Sequence, residues 1–121
     1  MKQPVRVLIV DDQSSARLGL RALLAFFPEI EIVGEASNGQ QAILASAALQ
    51  PDVILMDVQM PILDGLEATR RIKLSQPQVK VIILTIYRTS QTAASSVGAD
   101  GFLLKGGGVE ELQSAILRVV A

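Results

Sequence analysis

The sequence of 121 residues contains no cysteine and no histidine. Without cysteine, the chain has no disulfide, no thiolate metal site and no cysteine nucleophile. Without histidine, it lacks the commonest general base and the commonest metal ligand. A metal ion in this protein must therefore be bound by oxygen atoms, and oxygen ligands favour a hard cation such as Mg²⁺.

Long apolar runs and clusters of one charge are also missing. Eleven basic and twelve acidic residues leave a formal net charge of −1, and no basic stripe indicates direct nucleic-acid binding by this segment. No apolar run approaches the roughly 20 residues that cross a bilayer, and the first residues do not resemble a signal peptide. The composition predicts one cytoplasmic domain over residues 1–121, without membrane association.

What the chain does contain is a fivefold alternation of strand-like and helix-like segments. The strand-like segments cover residues 5–10, 31–36, 52–56, 79–84 and 101–104. Three of them are continuous apolar runs, which are typical of strands buried on both faces of a parallel sheet. Because right-handed crossovers leave few alternatives, the alternation predicts an α/β fold with helices on both faces of a parallel sheet.

The first and last helical patterns have one apolar stripe each. In the first, apolar residues recur at helical spacing from Ala16 to Phe27 and include Leu23, whereas Arg17 and Arg21 fall on another face. The stripe of the last helix consists of Val109, Leu112, Ile116 and Val119.

The middle helices differ in how well their ends are marked. One covers residues 40–49, and another starts at the N-cap Asp64, runs to residue 73 and has Glu67 placed to complete a capping box. Residues 89–97 have few apolar side chains and no strong cap, and this composition predicts a short, loosely held helix.

Five polar residues stand directly after predicted strands, where the carboxyl ends of parallel strands form a common edge. They are Asp11, Asp12, Asp57, Thr85 and Lys105. Three converging carboxylates repel each other unless a cation or a proton neutralises them. A lysine and a hydroxyl beside a bound cation could then stabilise a phosphoryl group transferred to the carboxylate of Asp57.

Each of these residues also has a purely structural interpretation. Asp12 could be only a helix N-cap, Lys105 only a solvated charge and Thr85 only a packing residue. The joint occurrence of all five at strand ends favours the functional interpretation.

Five stretches of the sequence resemble the receiver domains of response regulators. They are VLIVDD (7–12), GEASNGQQAI (34–43), ILMDVQMPILDGLEATRRI (54–72), ILT (83–85) and GADGFLLK (98–105). The wording is most similar to LuxR/NarL-type receivers, which usually precede a helix-turn-helix DNA-binding domain. The resemblance implies a flavodoxin-like (CheY-like) doubly wound sheet of five parallel strands, in the order 2-1-3-4-5, with five helices.

The resemblance also implies roles for the residues of the site. Asp57 becomes the phosphoacceptor of a sensor histidine kinase. The implied Mg²⁺ site comprises Asp57, Asp12 as a direct ligand, Asp11 acting mainly through water, and the backbone carbonyl of Gln59. The implied switch residues are Thr85, Lys105 and Phe102, and the alternative for Phe102 is an edge-strand core residue. The implied output is a change at the helix 4/strand 5/helix 5 face that controls transcription through a domain outside this chain.

The chain departs from the family pattern in four places. Residues 85–105 are about two residues shorter than the family norm, and the loss falls near the fourth helix. Ile86 replaces a commonly small residue and could narrow access to the phosphoacceptor, while Gly106–Gly108 adds backbone freedom after the lysine. Gln59 and Tyr87 occupy positions that tune the phosphoryl lifetime, and their size predicts slow dephosphorylation.

Two other functions fit parts of the sequence. A pseudo-receiver, acting as a phosphorylation-independent interaction module, is favoured by the short fourth-helix region and the glycine run. An aspartate-nucleophile phosphatase would need a second aspartate where Gln59 stands and insertions that 121 residues cannot contain, so the chain is not expected to be an enzyme. The sequence also allows a homodimer.

Overall fold

The apolar runs of the sequence form the strands of one parallel sheet. A computed structural model describes residues 3–121, and its sheet has the order β2-β1-β3-β4-β5. The strands are β1 (Val5–Val10), β2 (Ile30–Ala36), β3 (Val53–Met56), β4 (Lys80–Thr85) and β5 (Gly101–Leu104). The helices are α1 (Ser14–Leu24), α2 (Gly39–Leu49), α3 (Gly65–Ser75), α4 (Gln91–Ser96) and α5 (Val109–Val120). The predicted topology is confirmed.

The two faces of the sheet bury two separate apolar cores. Alternate residues of β1 and β3 point to opposite faces, as the two-residue repeat of a strand requires. One core packs α2, α3 and α4 against Leu8, Ile54 and their neighbours, and the other packs α1 and α5 against Val7, Leu55 and theirs. Burial on both faces explains why these strands are apolar without alternation.

The first helix is shorter than its apolar pattern predicted. It ends at Leu24, and the amide of Phe27 donates to the Leu24 carbonyl in the turn that follows. Leu24 is buried, whereas Leu23 is 44% exposed. The sequence placed Leu23 on the apolar stripe of α1, and this was wrong for the buried face. The face of α1 that packs on the sheet is narrower than the stripe of hydrophobic residues.

The third helix is capped on one side of the predicted capping box only. Asp64 accepts a hydrogen bond from the amide of Glu67 at 2.9 Å, as predicted. The Glu67 side chain does not reach back, because it pairs with Arg70 at 2.6 Å and Arg71 at 2.8 Å on the next turn. The predicted box was therefore wrong in its second half.

The fourth helix is short, as predicted. A single 3₁₀ turn over Arg88–Ser90 leads into the six-residue α4, which has one buried residue, Ala94.

Among residues 3–121, every helix is too short or too polar to span a bilayer.

Candidate functional site

The hydrogen-bond ladder of the sheet brings the predicted site residues to one edge. Asp57 follows β3, and its amide donates to the Val10 carbonyl at the end of β1 at 3.0 Å. Lys105 follows β5, and its amide donates to the Thr85 carbonyl at the end of β4 at 2.9 Å. The parallel register thus places these residues side by side, as the sequence predicted.

Three carboxylates form the acidic half of the site. Asp11, Asp12 and Asp57 each offer an oxygen, and these oxygens lie within 4.8 Å of one another. Asp11 is buried with 2% exposure, while Asp12 is exposed. An all-oxygen donor set of this charge fits a hard divalent cation.

Asp12 does not cap the helix that follows it. The N-cap position of α1 belongs to Gln13, and no side chain caps this end. The Gln13 amide donates instead to the Asp11 carboxylate at 3.0 Å. The structural interpretation of Asp12 as an N-cap is therefore wrong, and its carboxylate faces the site.

Lys105 supplies the positive charge of the site. Its Nζ lies 2.5 Å from Oδ2 of Asp11 and 3.2 Å from Oδ2 of Asp57. The lysine therefore bridges two carboxylates and lies closer to Asp11 than to the predicted phosphoacceptor. Burial lowers the pKa of Lys105, but the hydrogen bond to Asp11 and the charges of both aspartates outweigh it and raise the pKa above its ordinary value.

The pKa of Asp57 is subject to two opposing effects, burial and the positive charge of Lys105. Burial raises the pKa of Asp57, and the charge of Lys105 and a 2.8 Å hydrogen bond from the Val58 amide offset the rise only in part. When a carboxylate is poorly solvated and close to another carboxylate, a bound cation strongly stabilises its charged form.

The remaining predicted residues surround this centre. Thr85 is buried, and its hydroxyl oxygen accepts a 3.4 Å hydrogen bond from the Tyr87 amide. Ile86 is 66% exposed, and Tyr87 is also exposed. Phe102 is half-buried and packs against the core that contains α2, α3 and α4. Gly106 and Gly108 adopt positive φ angles of 86° and 100°, which favour glycine.

Sequence reasoning missed two features of the site. Gly65 lies so close to Asp57 that a Cβ would overlap the Asp57 carbonyl oxygen. Arg17, assigned only to a polar helix face, donates to the backbone carbonyl of Asp11. The only signal for Arg17 in the sequence is its position in α1, shortly after the aspartates.

A doubly wound parallel sheet with an acidic cluster at its carboxyl edge defines the CheY-like class of α/β domains. Within that class, residues 7–117 match the family described as response regulator receiver domain, and the chain belongs to this family.

Response regulators with similar sequences support the predicted LuxR/NarL-type resemblance. The chain is 40% identical over 119 residues to the response regulator GacA of Pseudomonas aeruginosa, an alignment that covers 97% of this chain and 56% of GacA. It is 43% identical over 117 residues to UvrY of Escherichia coli O157:H7, covering 95% and 54%. The chain thus spans about half the length of these relatives.

Solved structures agree with this assignment. The receiver domain of NarL from Mycobacterium tuberculosis superimposes with a TM-score of 0.93 at 30% identity, covering 98% of each chain. A LuxR-family response regulator from Aurantimonas gives a TM-score of 0.92 at 29% identity, covering 98% of this chain and 86% of the other. The predicted fold and family are confirmed.

Proposed function

We propose that this receiver domain is a phosphorylation switch that accepts a phosphoryl group on Asp57 with the help of Mg²⁺. The observation that supports this most is the half-buried Asp57 carboxylate, which lies among two further carboxylates and the ammonium of Lys105. Such a centre has more negative charge than one lysine neutralises, and it presents a carboxylate nucleophile at the carboxyl edge of the sheet.

The proposed cation site uses the oxygen atoms on one side of the centre. Asp11, Asp12, Asp57 and the backbone carbonyl of Gln59 would hold the ion. When bound, Mg²⁺ neutralises charge on the transferring phosphoryl oxygens. An Asp57 oxygen forms its bond to phosphorus as the bond from phosphorus to the donor nitrogen breaks, and the leaving imidazole of a sensor histidine kinase takes up a proton. We place this exchange in the cytoplasm, as the family resemblance implies.

The proposed switch is electrostatic. Phosphorylation adds about two negative charges, and the ammonium of Lys105, 3.2 Å from Asp57, and the hydroxyl of Thr85 at the end of β4 would donate to them. Reversing a 1:99 population takes about 5.5 kcal/mol of differential interaction. Two charge-assisted hydrogen bonds of about 3 kcal/mol each, or three of about 2 kcal/mol each, are sufficient. Phe102 then moves with β5, and the α4/β5/α5 face changes.

We expect labelled acetyl phosphate to transfer its phosphoryl group to this protein only when Mg²⁺ is present. Chelation with EDTA should reduce the label to background, and added Mg²⁺ should restore it, because Lys105 alone cannot balance three carboxylates. Peptide mapping should place the label in the segment that contains Asp57. Equal labelling in EDTA would contradict the metal requirement.

The phosphoryl group should be long-lived, because Gln59 and Tyr87 occupy the positions that tune phosphoryl lifetime in the receiver family and have side chains large enough to shield it from attacking water. We expect Tyr87→Ala and Gln59→Ala to shorten the phosphoryl half-life several-fold, measured as loss of label after removal of the donor. Arg88→Ala, next to the exposed Tyr87, is a control that should leave the half-life unchanged. An unchanged half-life in the Tyr87 and Gln59 variants would count against shielding. Ile86→Ala should speed label uptake if Ile86 narrows access to the site.

The proposed output is control of transcription through a DNA-binding domain outside this chain, with this segment making no nucleic-acid contact itself. A homodimer is compatible with this output. The second candidate, a phosphorylation-independent pseudo-receiver, is favoured by the six-residue α4. Beryllofluoride with Mg²⁺ tests the choice, since unchanged NMR spectra and oligomeric state would favour the pseudo-receiver.

A further inference from the structure

The turn that carries the acidic pair is held by a side chain from the helix that follows it. Nη1 of Arg17 donates to the backbone carbonyl oxygen of Asp11 at 2.6 Å, and its Nε donates to Oε1 of Glu35 at 2.9 Å. The Arg17 side chain is only 18% exposed. A guanidinium held at both ends in this way cannot rotate freely.

The carbonyl that Arg17 contacts belongs to the peptide bond between Asp11 and Asp12. Because a peptide unit is planar, fixing the direction of its oxygen also fixes the direction in which the Asp12 backbone leaves. The Asp11 amide is separately fixed by the Ala36 carbonyl at 3.1 Å. Arg17 therefore fixes the peptide unit between Asp11 and Asp12, and the orientation of this unit directs the two carboxylates into the site.

Glu35 anchors Arg17 on the edge strand β2. Its second oxygen accepts from Nε of Arg21 at 2.9 Å. The hydrogen bond from Arg21 and that from Arg17 lower the pKa of Glu35 in spite of its partial burial. Glu35 precedes Ala36, whose carbonyl holds the Asp11 amide, so the anchor and the turn share one rigid strand end.

We propose that Arg17, braced by Glu35, is a positioning residue that preorganises Asp11 and Asp12 for binding the divalent cation. This inference rests on the proposed function. The direction in which Mg²⁺ affinity changes when Arg17 is removed distinguishes orientation by Arg17 from simple electrostatics. A guanidinium near a cation site disfavours the cation by charge alone, so its removal would tighten binding. If Arg17 acts by orientation, its removal weakens binding.

The test is a calorimetric Mg²⁺ titration of the chain and its variants. We expect Arg17→Gln to weaken Mg²⁺ binding about 10-fold, the lower end of the effect of losing a group that orients a metal ligand. Arg17→Lys should recover part of the affinity, because lysine can reach the carbonyl or Glu35 but cannot span both. Labelling by acetyl phosphate should need more Mg²⁺ in Arg17→Gln, yet reach the wild-type rate at saturation.

Arg21→Gln is the matched control. Arg21 lies on the same helix, and its Nε donates to the other carboxylate oxygen of the same Glu35 at 2.9 Å. Its replacement should change the Mg²⁺ affinity less than twofold. If Arg17→Gln does not fold, Arg17→Lys provides the test, since lysine keeps the positive charge, and weaker Mg²⁺ binding in this variant comes from lost orientation of the Asp11 carbonyl rather than from a change of charge.

Two results overturn the inference alone: Arg17→Gln binding Mg²⁺ as tightly as wild type or tighter, and Arg21→Gln losing as much affinity as Arg17→Gln. Wild-type protein that binds no Mg²⁺ would overturn the proposed function, and this inference with it.

Discussion

Asp57→Asn protein should take up no label from acetyl phosphate at any Mg²⁺ concentration. An amide oxygen is a poor nucleophile and forms no stable acyl phosphate, and the other two carboxylates are proposed to bind the cation rather than to attack phosphorus. Asp11 is buried against Lys105, whereas Asp12 is the exposed member of the cluster. The measurement is radiolabel incorporation with wild-type protein in parallel.

Asp52→Asn is the control, because Asp52 lies at the opposite end of the same strand. Its carboxylate accepts a 2.8 Å hydrogen bond from the Arg6 amide, which an asparagine oxygen can also accept. This variant should be labelled at the wild-type rate. Mg²⁺-dependent label on Asp57→Asn, or its loss from Asp52→Asn, would show that the phosphoacceptor has been misassigned.

The same Asp57→Asn change should stabilise the metal-free protein at neutral pH. Burial raises the pKa of Asp57, so the folded state binds this proton more tightly than the unfolded state. A carboxyl with a raised pKa stabilises the fold below its unfolded pKa, and that contribution is lost as the pH rises through the folded value. At pH 7 the charged form therefore destabilises the fold, and the neutral amide removes this cost. The melting temperature in EDTA should rise, and the rise should disappear at acidic pH.

Gly65→Ala should destabilise the protein by about 3 kcal/mol and impair labelling. The added Cβ would overlap the carbonyl oxygen of Asp57, and a backbone atom cannot move aside as a flexible side chain does. The amide of Gly65 also donates to the Val58 carbonyl at 2.8 Å. Separating α3 from the end of β3 therefore displaces Asp57 itself. Urea unfolding and the labelling rate measure the two effects.

Gly19→Ala is the matched control and should have the opposite sign. Gly19 lies within α1, and apart from its chain neighbours and the adjacent helix backbone, a Cβ added there meets no atom of residues 3–121 within 4 Å. Alanine at an open helical position stabilises by roughly 0.5–1 kcal/mol. Equal stability of the Gly65 and Gly19 variants would show that the close approach at Gly65 is relieved at little cost.

The elements that were predicted well are those whose signal is local. The runs in β1, β3 and β4 are apolar because both faces of a central strand are covered, and this needs no knowledge of the partner helix. The short α4 follows from its lack of apolar residues. The convergence of Asp57 and Lys105 follows from the rule that parallel strands end at one edge.

The predictions that failed concern choices among nearby partners. The spacing of Glu67 suits a capping box, yet two arginines on the next turn compete for its carboxylate and win. Asp12 could have capped α1 on spacing alone, but the turn leaves Gln13 at that position. Lys105 lies beside Asp57 as strand order implies, but the sequence did not indicate that its ammonium also pairs with Asp11, which lies nearer.

The sequence by itself determined the class of fold, the edge of the sheet where the polar residues meet and the oxygen chemistry available there. These depend on composition, periodicity and chain order, which are properties of the unfolded chain. Only the tertiary structure decided that Lys105 binds two aspartates, that Gly65 lies against the backbone of Asp57 and that Arg17 braces the acidic turn. Such contacts join residues far apart in the chain or depend on how α1 and α3 dock, and docking geometry is set by packing of the whole core.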